Sequence, residues 1–579
     1  MTTDSPPLEN AADLLHGALR LHVDNRLGEA EALYRRILDL NPEHVQALGM
    51  LGTILAGRQG DEAEAEAVLN RHIALRPTDA ASLHWLGRLK ARLGDDEAAV
   101  TLFRRAAQWL PTLAPIFNDL GVSLHRLGRS QEALAALDRA VALDPAYGMA
   151  HVNRGAMLFE MKAFDQALDA QLTALALLAQ ASPEWRAATL HNLLLAVRRT
   201  GRRAAAEAAC EIALANDHDD AETVDELALL LEYLGRSDEA RTLRNDLGRR
   251  TGIERNGPAR DAQATLLLLG GVGAGHVPTR YLVDVGMFAT LSVGLLSPDQ
   301  ADAPLGGIGI DSLRGADVVF NTLGEVDAQG DQFDAVDSVC ARLGRPVLNP
   351  PAAIRRTGRD QAPALFGDIA DMVIPTVGWT TPGELATLAI DAPLLVRPAG
   401  DHGGENLVLL RGDAERDAYL QRPRPAAARL LLTRFHDFRS PDGHWRKYRL
   451  IFVDRQAHPY HLAIGDDWLL HYWRANMSVA PWKMAEEERF LADWRGVFGP
   501  RAARAVEAAA RRLDLDYGGM DCALLGDGRL LLFEANACFL LHLDEPEETF
   551  AYKHRHVPPI RAAFSDMVLR RAKAAGGGR

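Results

Sequence analysis

The 579-residue chain has few cysteines and no excess of basic residues. Its four cysteines are scattered, without a Cys-x-x-Cys pair, so the sequence offers no zinc or disulfide framework and favours a reducing compartment. The formal net charge is −14 at pH 7, whereas a nucleic-acid-binding protein usually carries a basic excess. We therefore expect no nucleic-acid partner.

Long apolar runs are missing too. No segment approaches the roughly 18 consecutive apolar residues of a membrane-spanning helix, so we expect no membrane partner. The N-terminus, MTTDSPPLENAADLL, is polar and acidic and lacks the basic and apolar parts of a signal peptide. Apolar residues make up 47% of the chain, which is typical of globular proteins. The expected location is the cytoplasm.

Residues 1–250 repeat with a period of 34 or 35 residues, visible in three residue types. The series are Gly17, Gly52, Gly87, Gly121 and Gly155; Pro42, Pro77, Pro111 and Pro145; and Ala30, Ala65, Ala99, Ala133 and Ala167. Segments such as Leu83–Pro111 carry apolar residues at helical spacing, and proline ends each second helix. The pattern resembles the tetratricopeptide repeat (TPR), with about seven helix-turn-helix units.

A single repeat unit cannot bury its own apolar face, so the units are expected to stack into an all-α superhelix with a concave groove. The resemblance implies that this groove holds a peptide or a segment of another protein. The alternative is that the repeats associate with themselves or pack against the rest of the chain.

The pattern changes after a polar stretch at residues 251–263, which is predicted to be a linker. Short apolar strands at residues 264–271, 316–325 and 345–351 alternate with helical segments, which predicts a parallel α/β sheet. The turn GGVGAGH is more typical of a tight strand-to-helix connection than of a dinucleotide site, because His276 stands where the third glycine is required.

Two later segments suggest a site for phosphate groups. A strand ending at Arg397 runs into a loop that contains Gly400, Gly403 and Gly404, and a second strand follows at residues 406–410. Such a loop can present backbone N–H groups to phosphates without obstruction by side chains. Farther along, the segment RKYRLIFVD places Lys447 and Arg449 on one face of a strand.

A hairpin near the C-terminus suggests a metal site. With Gly526–Gly528 as a three-residue turn, Asp521 falls opposite Phe533, or opposite Glu534 if the strand contains a one-residue bulge. Glu534 and Asn536 share a face, so three oxygen-bearing side chains could converge. Neighbouring carboxylates repel unless a cation lies between them, and this donor set suits Mg²⁺. The alternative is an ordinary exposed hairpin end.

The order of these motifs resembles the ATP-grasp superfamily. Residues 264–355 then correspond to its pre-ATP-grasp α/β domain and residues 356–573 to the ATP-grasp domain. The resemblance implies an ADP-forming ligase in which ATP activates a carboxylate as an acyl phosphate that an amine or a thiol attacks. The TPR domain would recruit the peptide or protein substrate, beside a possible small-molecule amine or carboxylate.

The resemblance also implies roles for individual residues. The magnesium ligands would be Asp521, Glu534 and Asn536, and the nucleotide would contact Arg359, Arg397, Gly400, Gly403, Gly404, Thr433, Arg434, Phe435 and His436. Lys447 and Arg449 would face the phosphates or an acyl phosphate, and together with Arg474 they would be the catalytic residues. The family usually has lysine where Arg359 and Arg397 stand, and arginine keeps the charge but changes the geometry.

Other interpretations of the second half remain open. Arg474 lies in a polar and aromatic segment that could line the acceptor pocket and bind a substrate carboxylate, or could be a half-buried strand pair with solvated ends. At the level of the whole chain, one alternative is a non-catalytic TPR scaffold with a degenerate nucleotide-binding module. Another is a small-molecule ligase whose repeats serve only oligomerisation.

Overall fold

The structure is a computed structural model of the whole chain. It describes residues 11–178, 183–216, 220–258, 260–271, 276–295, 305, 308–399, 406–422, 429–472 and 475–576. The chain divides into two compact units, Met1–His218 and Asp219–Arg579. Among the helices of these ranges, none is long and apolar enough to cross a membrane.

Residues 11–251 are helical in the described segments and form the antiparallel helix pairs that the repeat pattern predicts. The fourteen helices of these segments are α1 Ala11–Val23, α2 Leu27–Leu40, α3 Val45–Ala56, α4 Glu62–Leu75, α5 Ala80–Arg92, α6 Asp96–Trp109, α7 Ala114–Arg126, α8 Ser130–Leu143, α9 Gly148–Glu160, α10 Phe164–Leu177, α11 Pro183–Thr200, α12 Arg203–Leu214, α13 Ala221–Tyr233 and α14 Ser237–Thr251. The TPR-like all-α architecture is thereby confirmed.

The periodic glycines lie where the two helices of a repeat approach most closely. A Cβ atom at Gly87 of α5 would lie 2.5 Å from the ring of Phe103 in α6. At Gly121 of α7 it would lie 2.7 Å from Leu137 in α8. Both distances are shorter than real Cβ contacts, so the period of the glycines records the period of helix packing.

Polar contacts link the first helices of successive repeats. Asn153 Nδ2 in α9 donates to Asn118 Oδ1 in α7 at 2.8 Å. His84 Nε2 in α5 lies 2.8 Å from Asp119 Oδ2 in α7. Equivalent faces of α5, α7 and α9 are therefore held side by side, as in a superhelix that offers one continuous surface.

The predicted domain limits and the compact units do not coincide. The units separate after residue 218, so α13 and α14 belong to the second unit, whereas the sequence places the end of the repeats at residue 250. In addition, residues 254–256 of the predicted linker form a short strand at a sheet edge. The domain limits stay a prediction.

The second unit combines α13 and α14 with an α/β region. Its strands are β1 Glu254–Asn256, β2 Ala264–Gly270, β3 Phe288–Gly294, β4 Val318–Asn321, β5 Val347–Leu348, β6 Met372–Val373, β7 Val377–Thr380, β8 Leu394–Pro398, β9 Val408–Leu410, β10 Leu430–Arg434, β11 Trp445–Val453, β12 Gln456–Gly465, β13 Tyr517–Leu524 and β14 Leu530–Asn536. Its further helices are α15 Val326–Gln329, α16 Phe333–Leu343, α17 Pro351–Ile354, α18 Ala362–Phe366, α19 Pro382–Thr387, α20 Asp413–Leu420, α21 Pro481–Ala492, α22 Trp494–Leu513, α23 Glu547–His556 and α24 Pro558–Gly576.

These strands form three sheets. The first has the order β1-β3-β2-β4-β5; β2 to β5 are parallel, as the alternating pattern predicts, and β1 is an antiparallel edge strand. The second, β7-β10-β8-β9, is antiparallel, and it contains the predicted pair β8 and β9. The third, β12-β11-β13-β14-β6, places β13 in its centre.

One asparagine ties the first sheet to the third. Asn349 follows β5 with a φ of 51° and is fully buried. Its Oδ1 accepts hydrogen bonds from the backbone N–H groups of Asp516 and Tyr517 at 2.9 and 3.0 Å, and its Nδ2 donates to Tyr517 O at 2.8 Å. The start of β13 is therefore fixed against the end of the parallel sheet.

Candidate functional site

The C-terminal hairpin brings the predicted acidic residues onto neighbouring strands. Leu525 N donates to Arg529 O at 2.8 Å, as expected for the three-residue turn. Asp521 of β13 pairs with Glu534 of β14 because the register shifts by one residue between Asp521 and Cys522. The variant with a bulge is thus the one that the chain adopts, and Gly519 pairs with Asn536 in the same ladder.

Asp521 is held by two basic side chains of β11. Its carboxylate accepts from Arg449 Nε and Nη2 at 2.7 and 2.9 Å, and Lys447 Nζ lies 3.0 Å away. Only 4% of the Asp521 side chain is exposed. Burial alone would raise the pKa of Asp521, but Arg449 and Lys447 hold that pKa well below its usual range, so the carboxylate is ionised.

Glu534 is bound by different partners. Its Oε1 accepts from Arg359 Nη2 at 3.3 Å and from Asn536 Nδ2 at 2.8 Å. The carbonyl oxygen of Asn536, the atom that would ligate a metal, accepts the backbone N–H of Cys538 at 2.9 Å. Both polar atoms of the Asn536 side chain therefore form hydrogen bonds: the nitrogen donates to a carboxylate and the oxygen accepts from the backbone.

Arg359 also binds two acidic residues that the sequence interpretation missed. Its Nη1 lies 3.1 Å from Glu325 Oε1 and 3.6 Å from Asp327 Oδ2. Burial raises the pKa of Glu325 to about 7, although Arg359 acts in the opposite direction. The signal was present in the sequence, since Glu325 and Asp327 closely follow the end of β4, where functional groups of parallel sheets gather.

A cavity of about 360 Å³ is lined by Asp521, Glu534 and the basic side chains that bind them. Among the described residues, its arginine, lysine, aspartate and glutamate lining consists of six cations and two acids: Arg356, Arg359, Arg397, Arg434, Lys447 and Arg449 with Asp521 and Glu534. One part is apolar and includes Leu431, Phe438 and Trp468. The arrangement offers a positively charged region beside an apolar one, which suits an anion attached to a flat apolar group.

Arg397 occupies a special position in this cavity. It lies on β8 opposite Leu431 of β10 and lines the cavity. Burial lowers its pKa, and the positive charge of Arg359 acts in the same direction. Within the described segments Arg397 makes no ion pair closer than 4 Å, in contrast to Arg359, Lys447 and Arg449. Its guanidinium is therefore available to an anionic ligand.

The resemblance implies that Thr433 to His436 form a hinge whose backbone contacts the nucleotide, and all four residues line the cavity at the end of β10. Two of their backbone donors are already engaged, since Arg434 N donates to Thr376 O at 2.8 Å and Phe435 N to Pro393 O at 3.0 Å. A hydrogen bond from the hinge backbone to a ligand would therefore have to come from its other N–H and C=O groups. Gly400, Gly403, Gly404 and Arg474 lie outside the described residues.

A further part of the cavity lining, here named the inner end, includes His461, Tyr472 and His542. The rings of His461 and Tyr472 are stacked with 4.6 Å between their centroids, and the Tyr472 hydroxyl donates to buried Glu487 at 3.1 Å. Burial holds the pKa of His461 well below its ordinary value, so this imidazole is neutral at pH 7. This end therefore differs from the region around Asp521, because it offers aromatic and neutral polar groups.

The fit of Mg²⁺ to the predicted triad can be judged from these contacts. Two carboxylates and an amide are suitable donors in chemical terms. As the side chains lie, however, Asp521 is bound by Arg449 and Lys447, Glu534 by Arg359, and the Asn536 oxygen by the backbone. Over the described ranges, no group of three or more His, Cys, Asp or Glu residues could hold a metal ion. The arrangement does not fit the ion, and the magnesium site stays a prediction.

Comparison with known families matches the tetratricopeptide repeat model at residues 18–80 and 118–183. The N-terminal region therefore contains two segments that are similar to tetratricopeptide repeats. A relative from Hordeum vulgare, a probable UDP-N-acetylglucosamine–peptide N-acetylglucosaminyltransferase SPINDLY, is 27% identical over 168 residues. That match covers 28% of this chain and 18% of the relative, so the chain spans less than a fifth of the length of that protein.

Several solved structures are similar to part of this chain, and two of them are described as TPR proteins. The MamA protein is 20% identical with a TM-score of 0.27, and the match covers 29% of this chain and 91% of MamA. YrrB, described as a TPR protein with an unusual peptide-binding site, is 20% identical with a TM-score of 0.26, covering 29% and 86%. A thermophilic TPR protein of Thermus thermophilus is 22% identical with a TM-score of 0.28, covering 32% and 100%.

Proposed function

We propose that the cavity of the second unit binds the triphosphate of ATP and that the protein is an ATP-dependent carboxylate–amine or carboxylate–thiol ligase. The observation that carries this proposal is the position of Arg397, a half-buried cation that lines the cavity without an ion pair to a described acid. A cation that loses part of its hydration in this way is stabilised when an anion joins it. Phosphate oxygens satisfy a guanidinium through two parallel hydrogen bonds.

The remainder of the cavity supports a nucleotide over a simple anion. Leu431, Phe438 and Trp468 form an apolar part next to the end of β10, where a base can be buried. The inner end, beside His461 and Tyr472, leaves a region of different chemistry for the carboxylate or its acceptor. The protein would contribute positioning and charge neutralisation, which are the main contributions of proteins to phosphoryl transfer.

In this proposal the TPR region recruits the peptide or protein that the ligase modifies. The contacts between Asn118 and Asn153 and between His84 and Asp119 align the first helices of three repeats into one polar surface. A docked segment would then be present at a high effective concentration near the second unit. The proposed test is ADP release, which we expect with peptides that bind the TPR region and not with free amino acids.

Nucleotide binding is tested by calorimetry of the full chain with the ATP analogue AMP-PNP in the presence of Mg²⁺. Replacing Arg397 by Gln should weaken binding about tenfold or more, because a charge-assisted hydrogen bond contributes roughly 1.5–3 kcal/mol. Arg411→Gln is the matched control, since Arg411 is 61% exposed and pairs only with Glu415 among the described acids. Absence of AMP-PNP binding to the wild-type chain would refute the proposal.

One observation favours a second candidate, a TPR scaffold with a nucleotide-binding module that does not turn over. Asp521 and Glu534 line the cavity, but their carboxylates are bound by Arg449, Lys447 and Arg359. AMP-PNP binding by a chain that releases no ADP from ATP with any tested peptide or amino acid would favour this candidate over the ligase.

A further inference from the structure

The carboxylate and amide oxygens that would ligate a divalent ion already form hydrogen bonds or ion pairs within the protein. Arg449 and Lys447 contribute two positive charges to the carboxylate of Asp521 at 2.7 to 3.0 Å. A metal ion at this carboxylate would have to displace at least one of these charge-assisted contacts from a site that is 4% exposed. Mg²⁺ also requires near-octahedral geometry and loses its water reluctantly.

The second carboxylate and the amide lead to the same conclusion. Glu534 is joined to Arg359, and Arg359 is itself anchored by Glu325 and Asp327. The Asn536 oxygen accepts the Cys538 amide, so a backbone hydrogen bond would be lost if this oxygen turned to a metal. All three predicted ligands therefore have partners that fix them in their present orientation.

Positive charge for a ligand is nevertheless abundant. In the described part of its lining, the cavity has six arginine and lysine side chains against two acidic ones. The guanidinium groups of Arg359 and Arg397 can each bind phosphate with two hydrogen bonds, whereas an ammonium group acts as a point charge. Charge that a metal ion would supply to the phosphates is thus available from arginine and lysine.

We propose that this cavity binds polyphosphate on its basic side chains alone, without a divalent metal ion. The inference rests on the proposed nucleotide-binding function and adds that the nucleotide's phosphates meet Arg397, Lys447 and Arg359 directly. Phosphate oxygens would share Lys447 with Asp521 and Arg359 with Glu534, and Arg397 would gain its anionic partner.

Calorimetry of the full chain tests this with four probes: AMP-PNP in EDTA, AMP-PNP in Mg²⁺, pyrophosphate in EDTA, and MgCl₂ alone. We expect AMP-PNP to bind in EDTA with a dissociation constant within about threefold of its value in Mg²⁺, which is less than 1 kcal/mol. Pyrophosphate should also bind in EDTA, and MgCl₂ alone should give no binding heat.

The outcomes separate the two proposals. AMP-PNP binding that requires Mg²⁺, with a loss of tenfold or more in EDTA, overturns the metal-free site while leaving nucleotide binding intact; about 1.4 kcal/mol corresponds to this factor. A chain that binds AMP-PNP in neither condition refutes nucleotide binding and the inference with it. Saturable binding of MgCl₂ alone, lost in Glu534→Gln, also overturns the metal-free site.

Glu534→Gln provides a further test, because a metal-free and a metal-dependent site predict opposite changes in the affinity for AMP-PNP. Without a metal, the substitution removes a negative charge that faces the phosphates, so AMP-PNP should bind several-fold more tightly in EDTA. At a metal-dependent site the same substitution would remove a ligand and weaken binding in Mg²⁺. The control is Glu547→Gln in the first turn of α23, an exposed acid outside the cavity lining, with circular dichroism to confirm folding of both variants.

Discussion

Asp521 lies opposite Glu534 because β13 and β14 change register by one residue immediately after Asp521. Without that shift, the turn would place Asp521 opposite Phe533, whose ring instead packs against Phe438 with 4.8 Å between the centroids. Since neighbouring residues point to opposite faces of a sheet, a shift of one residue decides which side chains meet. The local irregularity thus brings two acids to the same cavity.

The ion pair of Asp521 with Arg449 is expected to stabilise the second unit. Asp521→Asn leaves two basic side chains in a largely buried site without their carboxylate, so we expect a loss of about 3 kcal/mol in the free energy of unfolding. Urea titration at pH 7 measures it. Asp566→Asn, on the exposed face of α24, should change the free energy by no more than about 0.5 kcal/mol. Equal effects of the two variants would contradict the expected role of the pair.

The pH dependence of Asp521 follows from the sign of its shift. Its folded-state pKa is held below the value in the unfolded chain, so the stabilisation is present above the ordinary carboxyl range and is lost as the pH falls through it. Asp521→Asn should therefore cost less at pH 3 than at pH 7. An equal cost at both values, measured by urea titration, would show that the charge of Asp521 is not the source of stability.

Glu325 is expected to show the opposite pH dependence. Burial raises its pKa to about 7 in the folded chain, so between the ordinary glutamate value and pH 7 the folded state binds more protons than the unfolded state. Stability should decline across this window as the pH rises, by an amount on the order of 1–3 kcal/mol. Glu325→Gln should flatten the decline between pH 5 and pH 8 in urea titrations. Glu547→Gln is the exposed control and should leave the slope unchanged.

Different parts of the molecule were predictable from the sequence for different reasons. The repeats and the hairpin turn depend on local or periodic signals. The sequence therefore predicts the repeat positions of Gly87 and Gly121 and the turn at Gly526–Gly528. Arg449 meets Asp521 because β11 pairs with β13, and these two residues are 72 positions apart in the sequence. No spacing in the sequence encodes that pairing, so the sequence interpretation gives Lys447 and Arg449 only phosphates or an acyl phosphate as partners.

The same limit explains the missed acids. Arg359 meets Glu325 and Asp327 only because the segment after β4 lies next to the one that begins the predicted ATP-grasp domain. The sequence allows Asp521 to lie opposite Phe533 or, with a bulge, opposite Glu534, and the choice between them depends on packing that a single sequence does not contain. The compact units divide after residue 218, with α13 and α14 in the second unit, whereas the end of the repeats at residue 250 stays a prediction.

In the repeats, glycine positions should differ sharply in their tolerance of alanine. Gly87→Ala would place Cβ 2.5 Å from the Phe103 ring and should destabilise by about 1–3 kcal/mol through overpacking. Gly28→Ala in α2 meets no atom within 4 Å and should be neutral or stabilise by up to about 1 kcal/mol, because alanine is the better helix former. Thermal unfolding followed by circular dichroism compares them. A melting temperature unchanged by Gly87→Ala would contradict the close approach of α5 and α6.

Asn349 should be sensitive to substitution for two separable reasons. Asn349→Ala removes three buried side-chain hydrogen bonds and leaves a residue with a Cβ atom at a φ of 51°, so we expect a loss of about 3–4 kcal/mol. Asn349→Gly removes the same bonds without the backbone strain and should lose about 1 kcal/mol less. Urea titration gives both values. Losses below about 0.5 kcal/mol for both would show that the asparagine does not hold the two sheets together.

The placement of Arg397 and Lys447 has a mechanical consequence. Arg397 belongs to the four-stranded sheet and Lys447 to the five-stranded sheet, and these sheets share no strand among the described residues. A ligand that contacts both cations at once would bridge two sheets that are not joined through a common strand. Such a ligand would therefore cross-link the two sheets as well as neutralise the charges of Arg397 and Lys447.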